Sequence, residues 1–132
     1  METMNVRTSS RTELRDVTGD VAAAVRRANV KSGACVVTVP HTTAGVTVNE
    51  NADPDVRADI ESALERIAPW EAAYRHSEGN SAAHVKAALV GHSTILPVAD
   101  GELVLGTWQG IYFCEFDGPR ARKMHVLVLP SS

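Results

Sequence analysis

The sequence predicts an α+β fold in one domain, residues 1–132, with about seven strands and about three helices. Three observations carry that expectation. Helical 3.6-residue periodicity is confined to stretches before Gly91, and beyond it the pattern takes the two-residue period of strands. Asp100-Gly101 stands between two apolar runs and suits the positive φ angles of a type I′ hairpin turn. A length of 132 residues allows one ordinary domain and is too short for two comfortable ones.

Each element has a local reason. Thr3–Ser10 is rich in Thr, Val and Ser but poor in large apolar residues, which suits an edge strand. Asp16 and Thr18 then precede Val21, Ala24, Val25 and Ala28, an i, i+3, i+4, i+7 stripe with Arg26 and Arg27 in the last turn and Gly33 as the stop signal. Ala34–Val39 is a continuous β-branched run and reads as a buried strand, and Gly45–Asn49 alternates as another. Asp53-Pro54 opens a second helix, since the carboxylate caps free amides and proline at the first position forfeits no hydrogen bond. Its stripe is Val56, Ile60, Ala63, Leu64 and Ile67, and Pro69 ends it. A loop from Trp70 to Gly79 leads to a shorter helix, capped by Asn80 or Ser81, running to about Val90 and closed by Gly91. Ser93–Ala99 and Glu102–Thr107 form the hairpin, and Ile111–Phe116 and Met124–Leu129 supply two more strands.

Composition excludes several classes. Hydrophobic residues make up 44% and charged residues 22%, the balance of a globular chain rather than a disordered one. A net charge of −3 supplies no global field for nucleic acid or an anionic membrane, and 5% aromatics is thin for a single-strand stacking platform. No run approaches the roughly 18–20 apolar residues of a membrane span, and Met1–Arg11 is too polar for a signal peptide, so the expectation is a cytoplasmic protein. Cys35 and Cys114 lie in apolar strand-like runs without metal or redox spacing and read as buried free thiols.

Polar residues in chemically useful places are fewer. His41 ends a strand, His76 lies in a loop and His84 falls in the first turn of a helix. Three imidazoles with room for a water match an open catalytic metal site, although the spacing is not that of ligands sharing a helical face, and solvated or capping histidines give the same pattern. His92 and His125 are left outside the site, His125 as a strand-face residue between Met124 and Val126. Glu50 follows a strand and is placed as metal ligand, partner of an imidazole or general base, whereas Asp53 is explained by capping. Gly106-Thr107-Trp108-Gln109-Gly110 breaks the strand pattern, reading either as a ligand-orienting segment or as a kinked strand with a buried Trp. Arg120 sits on a Gly118-Pro119 turn, and the helix opening at Glu78-Gly79-Asn80-Ser81 presents free amides to an anion. Neither GxGxxG nor GxxxxGK[ST] nor GxSxG is present, so no nucleotide cofactor and no hydrolase elbow are expected.

Taken in order, Pro40-His41-Thr42-Thr43-Ala44, Val48-Asn49-Glu50-Asn51-Ala52-Asp53-Pro54, Tyr74-Arg75-His76-Ser77-Glu78-Gly79-Asn80-Ser81 with His84, Gly106-Thr107-Trp108-Gln109-Gly110-Ile111-Tyr112 and Glu115-Phe116-Asp117 resemble the YjbQ family, also called the secondary thiamine-phosphate synthase family. The resemblance spans nearly the whole chain. It implies a β-sandwich-like body, a homotrimer and a polar site near a subunit boundary. It also implies metal ligation by His41, His76 and His84, catalytic roles for Glu50 and Arg120, and substrate contacts from Asn80, Thr107, Trp108 and Gln109. Ala82 and Ala83 bring no carboxylate beside His84, where some relatives have one. The implied activity joins a pyrimidine diphosphate to a thiazole phosphate, giving thiamine phosphate and pyrophosphate. Histidine ligands favour a zinc-like divalent ion over magnesium, which prefers oxygen. The alternative expectation is a non-catalytic trimeric protein that binds a metal or metabolite.

Overall fold

Two antiparallel sheets face each other in a computed structural model that describes Met1–Ser132. The elements run β1 (Glu2–Arg7), β2 (Glu13–Asp16), α1 (Thr18–Ala28), β3 (Ser32–Thr38), β4 (Ala44–Glu50), α2 (Pro54–Ile67), α3 (Ser81–Val90), β5 (Ser93–Ala99), β6 (Glu102–Leu103), β7 (Gln109–Glu115) and β8 (Ala121–Pro130). The larger sheet has five strands in the order β1-β8-β3-β5-β6, and the smaller has three, β2-β7-β4. The α+β expectation holds, with one strand more than the seven anticipated.

Burial explains the layering. Cys35 and Val37 of β3, Leu96 and Val98 of β5, and Met124 and Val126 of β8 face Ala44 and Val46 of β4 and Ile111 and Phe113 of β7, while Val21, Ala24 and Val25 of α1 join the same core. The alternate residues of β7, Tyr112 and Cys114, point the other way, onto Leu64 of α2 and Ala83 and Ala87 of α3. β7 is thus covered on both faces, which is why its sequence is a continuous apolar run rather than an alternation. Both thiols are free and buried as expected, and burial pushes the Cys114 thiol up to about 12.

Local signals placed most elements. Asp53 caps α2, its side chain accepting from the Asp55 amide at 2.9 Å, and Asp100 and Gly101 take φ of 53° and 77° in the hairpin turn. β1 is an edge strand, paired on one side with β8. Three expectations need correction. β2 was not expected, because Leu14 is its one buried residue and a period of two cannot be read from a single apolar position. The hairpin strand drawn to Thr107 pairs only through Leu103. The Pro97 carbonyl accepts from the Val104 amide at 2.9 Å, but proline has no N–H to return, so the ladder stops there. α1 ends at Asn29, in the left-handed region at φ 54°, rather than at Gly33.

Gly33 has another duty. A Cβ there would lie 1.9 Å from the Leu129 backbone oxygen across the β3–β8 pairing. Backbone cannot swing aside as a side-chain tip can, so Gly33→Ala is expected to cost about 3 kcal/mol in urea unfolding. A cost within about 0.5 kcal/mol would show that the two strands part easily.

Candidate functional site

The sites read from the sequence separate into two groups. Where β3 gives way to β4, the turn Pro40–Thr43 meets the start of α3 and the β7–β8 connection around an open cavity of about 530 Å³ lined entirely by polar residues and one proline. His41, His76, His84, Asn80 and Arg120 all line it. Glu50, Thr107, Trp108 and Gln109 do not. Glu50 pairs with Gln109 at the far end of β4 from Ala44, six strand steps or about 20 Å away. There the Glu50 carboxylate accepts from the Ala52 amide, and Gln109 Oε1 accepts from the Gly106 amide. Trp108 is 64% exposed rather than buried in a kinked strand.

The cavity floor was invisible to motif reading. Glu115 is fully buried and accepts from Arg122 through both Nε and Nη2, from the Thr8 hydroxyl at 2.7 Å, and from the Phe116 and Asp117 amides at 3.0 Å each. Arg122 Nη2 also donates to the Thr43 hydroxyl at 2.8 Å. Burial alone would push the Glu115 carboxyl up, but the Arg122 guanidinium and the other donors outweigh it and hold it below the ordinary 4.5. The Thr8 hydroxyl accepts from the Arg120 amide, so this network also fixes the turn that carries Arg120.

Arg120 is oriented in its own right. Its Nε donates to the Asp117 carbonyl at 2.7 Å and its Nη2 to Asp117 Oδ2 at 3.0 Å, leaving Nη1 without a partner in the chain. Asn80 Nδ2 donates to the same Oδ2 at 2.9 Å. That bond draws the Asn80 amide away from the cap it would otherwise make, and α3 begins with no side-chain capping bond. The Ser81 and Ala82 amides consequently lack acceptors in the chain.

The wall beside the cavity is stiffened by a second pair. Lys86 of α3 is fully buried, and its ammonium is bonded to Glu65 of α2, whose other oxygen accepts from the Trp70 amide at 3.0 Å. The Lys86 ammonium holds the Glu65 carboxyl below its usual range. One carboxylate thereby ties α2, α3 and the start of the loop that carries His76.

The three histidines share the cavity but are not arranged as three ligands of one ion. His41 Nε2 accepts from the Lys123 amide at 2.9 Å, which spends its lone pair and places the proton on Nδ1. His76 and His84 stand edge to face with ring centroids 5.7 Å apart. No set of three or more His, Cys, Asp or Glu side chains in the chain is grouped to hold a metal ion. The residues as placed do not fit the expected divalent ion. Burial and the nearby Arg122 charge lower the pKa of His41, so the neutral, accepting imidazole is its form near pH 7.

Together these features define a single-domain α+β protein with two facing sheets and a polar cavity at one end. The chain belongs to the YjbQ-like UPF0047 family, whose model matches residues 2–131. It is similar to the UPF0047 protein YugU of Bacillus subtilis, with 48% identity over 98% of both chains. A crystal structure of a YjbQ/UPF0047 family protein from Clostridium acetobutylicum superposes with a TM-score of 0.96, at 49% identity over 98% of this chain and 100% of that one. A YbjQ-like protein of unknown function from Sulfolobus solfataricus gives 0.95 at 32% identity over 98% and 96%. No helix is long and apolar enough to cross a membrane.

Proposed function

We propose that the cavity binds the phosphate or pyrophosphate group of a small molecule, and that the chain acts on it as a transferase of the kind its family resemblance implies, forming thiamine phosphate. The observation that carries this reading is Arg120, with an unpartnered Nη1, beside His41, His76 and His84 in a cavity with no hydrophobic lining residue. Net charge is not the attraction. Arg120 is matched by Asp117 and Arg122 by Glu115, so affinity for an anion comes from N–H groups already aimed, the arrangement that stabilises a departing pyrophosphate at no cost in reorganisation. In this reading Arg120 clamps the leaving group.

Glu50 cannot serve this cavity as general base from 20 Å away on the same chain. A homotrimer would supply it from a neighbouring copy, and the exposed Trp108 beside it suits a contact between copies. The separation of Glu50 also favours the second reading, a non-catalytic binding protein. Pyrophosphate titrated calorimetrically into the protein is expected to bind, and Arg120→Ala to weaken it about 10- to 100-fold. Turnover of the pyrimidine diphosphate and thiazole phosphate, lost in His76→Ala, would establish the enzyme. Binding without turnover would leave the second reading standing, and no binding would overturn both.

A further inference from the structure

The polar cavity adjoins a second one of different character. Pro40, His41, Thr42 and His84 line both, so the two open into each other across the His41 and His84 rings. The second cavity, about 570 Å³ and open to solvent, is otherwise lined by Val39, Ala44, Ala87 and Ala88, with Gly91 and His92. No carboxylate, lysine or arginine lines it. It therefore offers nothing to a phosphate group, and an apolar surface to whatever that phosphate is attached to. Backbone bonds fix its shape: the Val39 amide donates to the His92 carbonyl at 2.7 Å and the Val46 amide to the Gly91 carbonyl at 3.1 Å, tying the α3–β5 connection to β4 and the end of β3. Two of its three imidazoles are held as well, His41 by the Lys123 amide and His84 by its edge-to-face contact with His76. A preformed cavity of this volume suits one compact ring system, and imidazole rings in its wall favour an aromatic one.

We propose that the two cavities are halves of one site, and that its ligand is the phosphate of an aromatic or heteroaromatic alcohol, with the phosphate at Arg120 and the ring between the β3–β4 turn and the end of α3. The bond joining the two parts then lies beside His41 and His84, the imidazoles common to both halves. Sugar phosphates fall outside this class, because their hydroxyls would lose water against Val39, Ala44 and Ala87 without gaining partners there. The inference rests on the phosphate reading above and adds to it the organic group that the phosphate carries.

Benzyl phosphate and methyl phosphate, which share the charged group and differ in the ring, are the probes, each titrated into the full chain. Benzyl phosphate is expected to bind at least about tenfold tighter. Cyclohexylmethyl phosphate, equal to it in carbon number but not flat, should bind less tightly than the benzyl ester. Ala88 is exposed and lines the apolar half alone, so Ala88→Trp should fill that half and cancel the gain. His92→Ala removes the one imidazole confined to the apolar half and should lower the gain about threefold. Thermal unfolding checks that both variants are folded, and loss of the gain in either supports the inference. A smaller gain in the unaltered protein, a cyclohexylmethyl ester that binds as tightly as the benzyl one, or a gain that survives both substitutions overturns it while leaving the phosphate site in place. Pyrophosphate separates the two readings: if it binds and none of the esters does, this inference alone falls, and if nothing binds the phosphate reading falls with it.

Discussion

Glu115→Ala is expected to destabilise the protein by about 3–5 kcal/mol and to abolish anion binding at the cavity. Breaking a buried ion pair strands the surviving charge, and Arg122 is only 5% exposed, so water cannot take over its solvation. The same carboxylate holds the Thr8 hydroxyl and the Phe116 and Asp117 amides, and Thr8 in turn accepts from the Arg120 amide. Loss of stability and loss of the site are thus one event. The pH dependence follows from the same groups. Glu115 titrates near 4.5 when unfolded and below that when folded, so its contribution is present above 4.5 and lost as the pH falls through the folded value. His41, lowered from 6.5 by burial and by Arg122, behaves likewise at a higher pH, since protonation ends its acceptance from Lys123. Urea midpoints should decline below about pH 6.5 and again below about pH 4.5, with the second step smaller in Glu115→Ala, where the Glu65 carboxyl still titrates. A midpoint unchanged across that range, or a Glu115→Ala variant within about 1 kcal/mol of the unaltered protein, would contradict this account.

Much of this network was within reach of the sequence. Glu115 interrupts the apolar run Ile111–Phe116, and a charge inside a run that must be buried needs a partner. Arg122 keeps step with Met124 and Val126 on the inward face of β8, so the period of two placed it in the core. Neither residue belongs to a motif that signals chemistry, and their pairing depends on how β7 and β8 fold back through Gly118-Pro119, which no local rule specifies. Local rules did place Asp53 and the Asp100-Gly101 turn, because each is decided by bonds within a few residues, whereas the cap expected at the α3 start is lost to Asp117, distant in sequence. The grouping of His41, His76 and His84 in one cavity came from resemblance, whereas the tautomer that removes His41 as a ligand is set by the Lys123 amide, distant in sequence. Glu50 was misgrouped with them because a strand end looks the same at either end of a sheet.

Ile95→Lys combined with Leu127→Lys is expected to convert the proposed trimer into monomers. α2 and α3 cover the outer face of the three-stranded sheet, but no element covers the outer face of the five-stranded one. Ile95, Leu127 and Leu129 emerge there at 68%, 36% and 48% exposure. Pairing makes them one patch, since Val36 lies opposite both Ile95 and Leu127, and its neighbour on the same face, Ala34, lies opposite Leu129. A contiguous apolar patch on a sheet face marks an interaction surface, and a second copy of the chain satisfies it most simply. Burying one isoleucine and one leucine is worth about 4 kcal/mol, so losing both should weaken association about a thousandfold. Within one protomer the two lysines would point into water and change its stability by less than about 0.5 kcal/mol. Light scattering at micromolar concentration should therefore report a trimer for the unaltered protein and a folded monomer for the double variant, with turnover of the pyrimidine diphosphate lost if a neighbour's Glu50 completes the cavity. A monomer in both cases would overturn the assembly, and with it the one route by which Glu50 reaches the site.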